Sequence, residues 1–165
     1  MHAPTLRTAR LVLRPVADAD ADAIVAALSD WQVTRWLSGP PWPFTRADAD
    51  HWIANGAVGS RAITLGGTMI GSIGIKPDLG YWLAPAHHGR GLMTEAARTV
   101  VAHHFAAGGG DIVSGHFPGN VASRAVLTRL GFVDTQVERA HARPLGRDVD
   151  IQRMLLARPC GQPRP

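Results

Sequence analysis

The period of apolar and polar positions changes several times along the chain, and each change marks an element. Residues 6–14 alternate, with Leu11 and Leu13 on one side and Arg10, Val12 and Arg14 on the other, which predicts a first strand ended by Pro15. Ile24, Val25 and Leu28 form a helical stripe within residues 18–29, and Asp18, Asp20 and Asp22 suit the positive end of that helix. Residues 31–44 hold Trp31, Trp36 and Trp42 but are broken by Gly39-Pro40-Pro41 and Pro43, so no long regular element fits there. Thr45 is placed to cap a helix over residues 46–54.

Three short strands follow, over residues 61–65, 68–75 and 79–84. Gly66-Gly67 and Lys76-Pro77-Asp78 join them, which predicts an antiparallel meander. Residues 92–107 lack Gly and Pro and read as a helix stopped by Gly108-Gly109-Gly110. A fifth strand is expected over residues 112–117, then a helix from Asn120 to the Gly131 stop, then strands over 132–139 and 149–156. The expectation is one α/β (α+β) domain over residues 1–157, with about seven strands and about four helices. Residues 158–165 form a loose Pro-rich tail.

Composition narrows the class. Hydrophobic residues make up 45% of the 165 and charged residues 18%, as in a globular domain. No apolar run approaches the roughly 18–20 residues of a membrane span. The first eight residues lack the apolar core of an export signal, so a cytoplasmic chain with no membrane partner is expected. The single cysteine, Cys160, excludes an intrachain disulfide and a Cys-x-x-Cys site. The formal charge is +4, and of 17 basic residues only Lys76 is lysine. The arginines are scattered, so a nucleic-acid partner is not indicated. The pairs His87-His88 and His103-His104 have no carboxylate or thiol at ligand spacing, and no metal is expected.

The candidate chemistry lies where turn gives way to helix, at Pro85-Ala86-His87-His88-Gly89-Arg90-Gly91-Leu92-Met93-Thr94-Glu95-Ala96. Glycines before a helix start bring backbone N–H groups close to an anion, although a plain tight turn accounts for the glycines equally well. The NTPase phosphate loop is excluded because its lysine is missing, and the dinucleotide fingerprint finds Thr94 at its third glycine.

With Tyr81-Trp82-Leu83-Ala84-Pro85 before it and Asn120-Val121-Ala122-Ser123-Arg124-Ala125-Val126-Leu127-Thr128-Arg129-Leu130-Gly131-Phe132 after it, this stretch resembles the GNAT-superfamily acetyltransferases. The opening Leu6-Arg7-Thr8-Ala9-Arg10-Leu11-Val12-Leu13-Arg14-Pro15 is similar to the branch typified by the ribosomal-protein N-terminal acetyltransferases RimJ and RimL. The resemblance implies a mostly antiparallel sheet splayed between its fourth and fifth strands, with acetyl-CoA lying in the splay. Backbone at Trp82, Leu83 and Ala84 would meet pantetheine, and His88, Gly89, Arg90, Gly91, Leu92, Met93 and Thr94 would hold the pyrophosphate. Asn120 would reach the pantetheine arm and Arg124 a CoA phosphate.

The family's tyrosine acid is replaced by Leu127. By resemblance the acid role passes to Ser123, which shares a helix face with Leu127. A hydroxyl is a weak acid, so hydrogen bonding to the thiolate suits it better than full proton donation. A backbone N–H near Leu83 or Ala84 would steady the oxyanion. The base is left between His116, histidine being a residue type suited to proton abstraction, Asp78 and a water relay. Trp31, Trp36 and Trp42 are read either as loop packing or, with Tyr81, as the aromatic wall of an acceptor site. The implied function is N-acetylation of a protein N-terminus or small amine, the alternative being a non-catalytic acyl-CoA sensor. The expected partners are acetyl-CoA and that amine, and a homodimer is compatible with the sequence.

Overall fold

The computed structural model describes residues 4–160. The first alternating run is two strands rather than one. Thr8 N–H donates to the Leu11 carbonyl (2.9 Å) and Leu11 N–H to Thr8 Oγ1 (2.8 Å), so the chain reverses at Ala9-Arg10. Strand β1 (Leu6–Arg7) thereby pairs antiparallel with β2 (Val12–Pro15).

Strands β3 (Ser60–Leu65), β4 (Thr68–Ile75) and β5 (Leu79–Leu83) continue an antiparallel sheet in sequence order, β1-β2-β3-β4-β5. One face carries α1 (Ala21–Leu28), the short turn α2 (Trp31–Thr34) and α3 (Arg46–Asn55), through Ile24, Leu28, Val33, Phe44 and Ala49. Thr45 caps α3 as expected, in a reciprocal box with Asp48. The other face carries α4 (Leu92–Ala106), whose buried Met93, Ala96, Ala97, Val100, Val101 and Phe105 recur at helical spacing.

The splay lies where it is expected, between the strands read over residues 79–84 and 112–117, and it is wide enough to divide the sheet in two. Strands β6 (Ile112–His116), β7 (Val133–Ala142) and β8 (Arg147–Leu156) form a separate sheet in the order β6-β8-β7, with α5 (Val121–Leu130) between β6 and β7 in sequence. The splay therefore falls between β5 and β6, and one core binds both sheets to α4 through Ile73, Leu79, Ile112, Leu127 and Met154. Arg158, first residue of the expected loose tail, is pinned by Asp111 Oδ1 (2.8 Å) and the Gly108 carbonyl (3.1 Å). Residues 161–165 of that tail, and residues 1–3 of the segment read for an export signal, lie outside the described residues. Among the described residues no helix is long and apolar enough to cross a membrane.

At the end of β5 the packing is tight. The β3–β4 register skips Ile70, whose carbonyl instead receives the Ala84 N–H (2.8 Å) just past β5. Gly71 stands opposite Leu83, and a Cβ there would overlap the Trp82 carbonyl oxygen and lie 2.9 Å from Leu83 Cδ1. Gly71→Ala is therefore expected to cost about 1–3 kcal/mol, as overpacking does. Urea unfolding with an unchanged slope and a lower midpoint would register it.

Candidate active site

Because β5 and β6 share no ladder, a gap opens between them, and a cleft of about 580 Å³ runs through it. At one end of the strands the gap is tied by the buried Ser114, whose Oγ donates to the Leu79 carbonyl (2.8 Å). At the other end the α4 start faces it. Gly89 and Gly91 adopt φ of +71° and +72°, the left-handed region in which a side chain is strained. The N–H groups of Gly89, Arg90, Gly91, Leu92, Met93 and Thr94 have no acceptor among the described residues, and neither does the Thr94 hydroxyl. A row of unpaired donors at a helix N-terminus is chemistry for a phosphate.

The frame of this loop comes from the N-terminal turn. Glu95 Oε1 accepts from Thr8 Oγ1 (2.5 Å) and Arg10 N–H (2.9 Å), while Glu95 Oε2 accepts from Arg10 Nε (2.7 Å). Arg10 Nη1 then donates to the Arg90 carbonyl inside the loop (3.0 Å). Burial alone raises the Glu95 carboxyl, but the hydrogen bonds from Thr8 and Arg10 outweigh it and hold the group below its ordinary range. Sequence reasoning missed this strap. Its signal was present, since Arg10 and Glu95 are charges inside the two segments that carry the family resemblance.

Residues 79, 81 and 83 turn their backbone groups away from β4. The Leu79 carbonyl meets Ser114, the Leu83 carbonyl accepts from His88 Nε2 (2.7 Å), and the intervening Trp82 sits in the β4 ladder. Leu83 N–H thus faces the gap, whereas Ala84 N–H is spent on Ile70. His88, just before the first glycine, thereby ties the loop to the end of β5.

On α5, Asn120 Oδ1 caps the helix by accepting from Ser123 N–H (3.2 Å), and its Nδ2 has no partner among the described residues. Ser123 Oγ lies 2.9 Å from the Tyr81 hydroxyl, and both residues line the cleft. Tyr81, expected to meet the acceptor, is thus engaged by α5. Burial pushes its phenol up to about 12, with the Ser123 hydrogen bond pulling the other way.

Arg124 stands outside the cleft lining, forked onto Asp134 (3.1 and 2.8 Å) and 3.4 Å from His116 Nε2. An arginine only donates, so Nε2 accepts and His116 Nδ1–H donates to the Phe117 carbonyl (3.1 Å). Arg129, one helical turn further than Ala125, is the α5 arginine that does line the cleft. Asp78 is paired with Arg153, which also lies 3.4 Å from Glu138.

Of the three loop tryptophans only Trp36 lines the cleft, beside Gln32, Val33, Leu37 and Ser38. Trp31 and Trp42 pack on each other (centroids 4.8 Å apart) and are 36% and 40% exposed. Gln32 and Val33 share the α2 face with Trp36, which turns Trp31 away, and the proline break carries Trp42 off. Among the described residues no group of three or more His, Cys, Asp or Glu could hold a metal.

Known proteins resemble this chain in sequence and in fold. The family described as "Acetyltransferase (GNAT) domain" matches residues 10–133. YoaA of Bacillus subtilis (strain 168), described as an uncharacterized N-acetyltransferase, is 27% identical, covering 94% of this chain and 98% of its own. A GNAT-family acetyltransferase from Bacillus anthracis superposes with a TM-score of 0.83 at 17% identity, over 94% of this chain and 99% of that one. The ribosomal L7/L12 α-N-protein acetyltransferase RimL in complex with coenzyme A superposes at 0.75 with 19% identity, over 93% and 98%. These two likenesses show a shared fold.

Two outcomes follow for the loop. Gly91→Val forces a β-branched residue into a left-handed conformation, costing about 1–2 kcal/mol, and crowds the donor row. Calorimetry is expected to show loss of CoA binding, and unchanged affinity would remove the loop as the site. Glu95→Gln is expected to lower stability at neutral pH by about 1 kcal/mol, or ~2–4 °C in Tm. Because the folded Glu95 titrates below its ordinary 4.5, its stabilisation is full above that value and is lost as pH falls through the folded one. The Tm difference between wild type and variant should therefore close in acid.

Proposed function

The chain belongs to the GNAT acetyltransferase family, and we propose that it moves the acetyl group of acetyl-CoA onto an amine of near-neutral pKa: a protein N-terminal α-amine or a comparable small amine. One observation carries the choice of acceptor. Every Asp and His lining the cleft, namely Asp78, His87, His88 and His116, already has a partner. A lysine amine with pKa about 10.4 is neutral in roughly one molecule in 2,500 at pH 7, whereas an α-amine near 7.7–8.0 is neutral in roughly one in six to ten. A site whose bases are engaged is matched to the second kind.

The residues divide the work. The six unpaired N–H groups from Gly89 to Thr94, with the Thr94 hydroxyl, suit the pyrophosphate, and Arg129 suits a further phosphate. Asn120 Nδ2 is available to a pantetheine carbonyl. Acetyl-CoA supplies an acetyl group already activated as a thioester. Leu83 N–H takes the charge that develops on the carbonyl oxygen when the amine nitrogen bonds to the carbon. Ser123 donates to the sulfur as the C–S bond breaks with its electron pair. His116, with Nε2 against Arg124, holds α5 to β6 rather than serving as base.

The test is thiol release across N-terminal peptides, small amines and lysine side chains. Below each acceptor's own pKa, kcat/KM is expected to rise about ten-fold per pH unit and then level off at that pKa. One common pKa for all acceptors would instead reveal an enzyme base. Tight CoA binding with no turnover on any amine would assign the chain as an acyl-CoA sensor.

A further inference from the structure

We propose that Tyr81 is the positioning residue for the Ser123 hydroxyl: its phenol donates to Ser123 Oγ, which frees the serine hydrogen to point at the departing sulfur. The inference rests on the acetyl-CoA reading of the cleft and concerns a residue on the opposite wall from α5.

Tyr81 is the only tyrosine in the chain, and it reaches from β5 across the gap to α5. Its hydroxyl has two partners, both on Ser123: Oγ at 2.9 Å, where either oxygen can donate, and the carbonyl oxygen at 3.3 Å, which only accepts. Ser123 Oγ has no other partner among the described residues. With burial holding the phenol protonated far above neutrality, Tyr81 remains a donor throughout the working pH range.

The hydrogen count then decides the roles. A serine hydroxyl has a single hydrogen. If that hydrogen is used on Tyr81, none is left for sulfur; if Tyr81 donates instead, its bond pins an Oγ lone pair toward β5, which turns the serine hydrogen to the cleft and polarises Oγ, and a hydroxyl without the phenol loses that orientation. Leu127, one turn further along α5, is fully buried and apolar, so no second hydroxyl stands behind Ser123 on that face. No proton leaves either oxygen. The C–S bond breaks with its pair on sulfur, the amine gives its proton to water, and sulfur takes one from water, so the protons balance.

The test uses product CoA and needs no acceptor. Isotope-labelled CoA bound to the full chain is titrated by NMR of the carbon beside the sulfur, for wild type, Tyr81→Phe, Ser123→Ala and the double variant. A donor aimed at sulfur stabilises the thiolate. The bound thiol is therefore expected to titrate about one pH unit lower in wild type than in Tyr81→Phe, a ten-fold effect. Ser123→Ala and the double variant should match Tyr81→Phe; CoA affinity measured below the titration range, where the thiol is protonated throughout, should be unchanged across the set, and affinity for the thiolate should fall by the same ten-fold.

Wild-type titration in Tyr81→Phe overturns the proposal, as does a double variant showing the sum of two independent shifts. Weakened CoA binding by Tyr81→Phe below the titration range would make Tyr81 a wall of the cleft instead. If Tyr81→Phe fails to fold, Ser123→Ala decides: a wild-type titration there overturns the proposal equally. Failure of the wild type to bind CoA at all would overturn the acetyl-CoA reading itself, and this inference with it.

Discussion

The apolar face of α4 lies across two sheets that share no ladder, and the cleft exists because of that packing. Strands β5 and β6 are neighbours joined by one side-chain bond, Ser114 to the Leu79 carbonyl, so backbone pairing cannot hold them in place. Met93, Val100, Val101 and Phe105 do so instead, wedged against Ile73, Leu79, Ile112 and Met154. Each such side chain, fully buried, contributes roughly 1.5–3 kcal/mol, several times the worth of a typical single hydrogen bond. The same helix that joins the sheets begins at the gap. Its unpaired N–H groups are therefore fixed relative to both walls, and the Arg10–Glu95 strap frames the loop that carries the first of them.

The regular elements were legible because their signals are local. Gly66-Gly67, the Thr45 cap and the Gly108 stop act within a few residues, and the observed bounds of β4 match the expected ones. The N-terminal reversal was hidden because two-residue and four-residue strands are too short to show a period, and the turn between them carries neither glycine nor proline. The six backbone donors followed from the glycines and the helix start. The fate of Arg124 did not: whether a helix arginine reaches a phosphate or Asp134 depends on where β7 returns, which no spacing within α5 encodes. Trp31 and Trp42 failed as cleft aromatics for the same reason, since a proline-broken loop has no period from which to assign a face.

The excess of arginine also takes on a different meaning. Arg14 forks onto the buried Asp20, Arg10 holds Glu95, Arg124 holds Asp134 and Arg153 holds Asp78. Four arginines thus tie one element to another, a use for which the planar guanidinium is better suited than an ammonium. Exposed pairs such as Arg46 with Asp22 contribute little. Of the two α5 arginines, Arg129 is the one that lines the cleft.

Placing the supporting phenol on β5 rather than on α5 makes the chemistry depend on the width of the gap. A tyrosine on α5 would move with the serine it assists and would be indifferent to the sheets. Tyr81 instead sits two residues from Leu79, on the same face, so the Ser114 bond that closes one end of the gap also sets how far Tyr81 reaches across it. Widening the gap by an ångström would stretch a 2.9 Å contact beyond hydrogen-bonding range, while leaving the phosphate donors on α4 untouched. On the proposed reading, donor binding and assistance to the leaving sulfur are therefore mechanically separable: the first would belong to the loop and the start of α4, the second to the distance between β5 and α5.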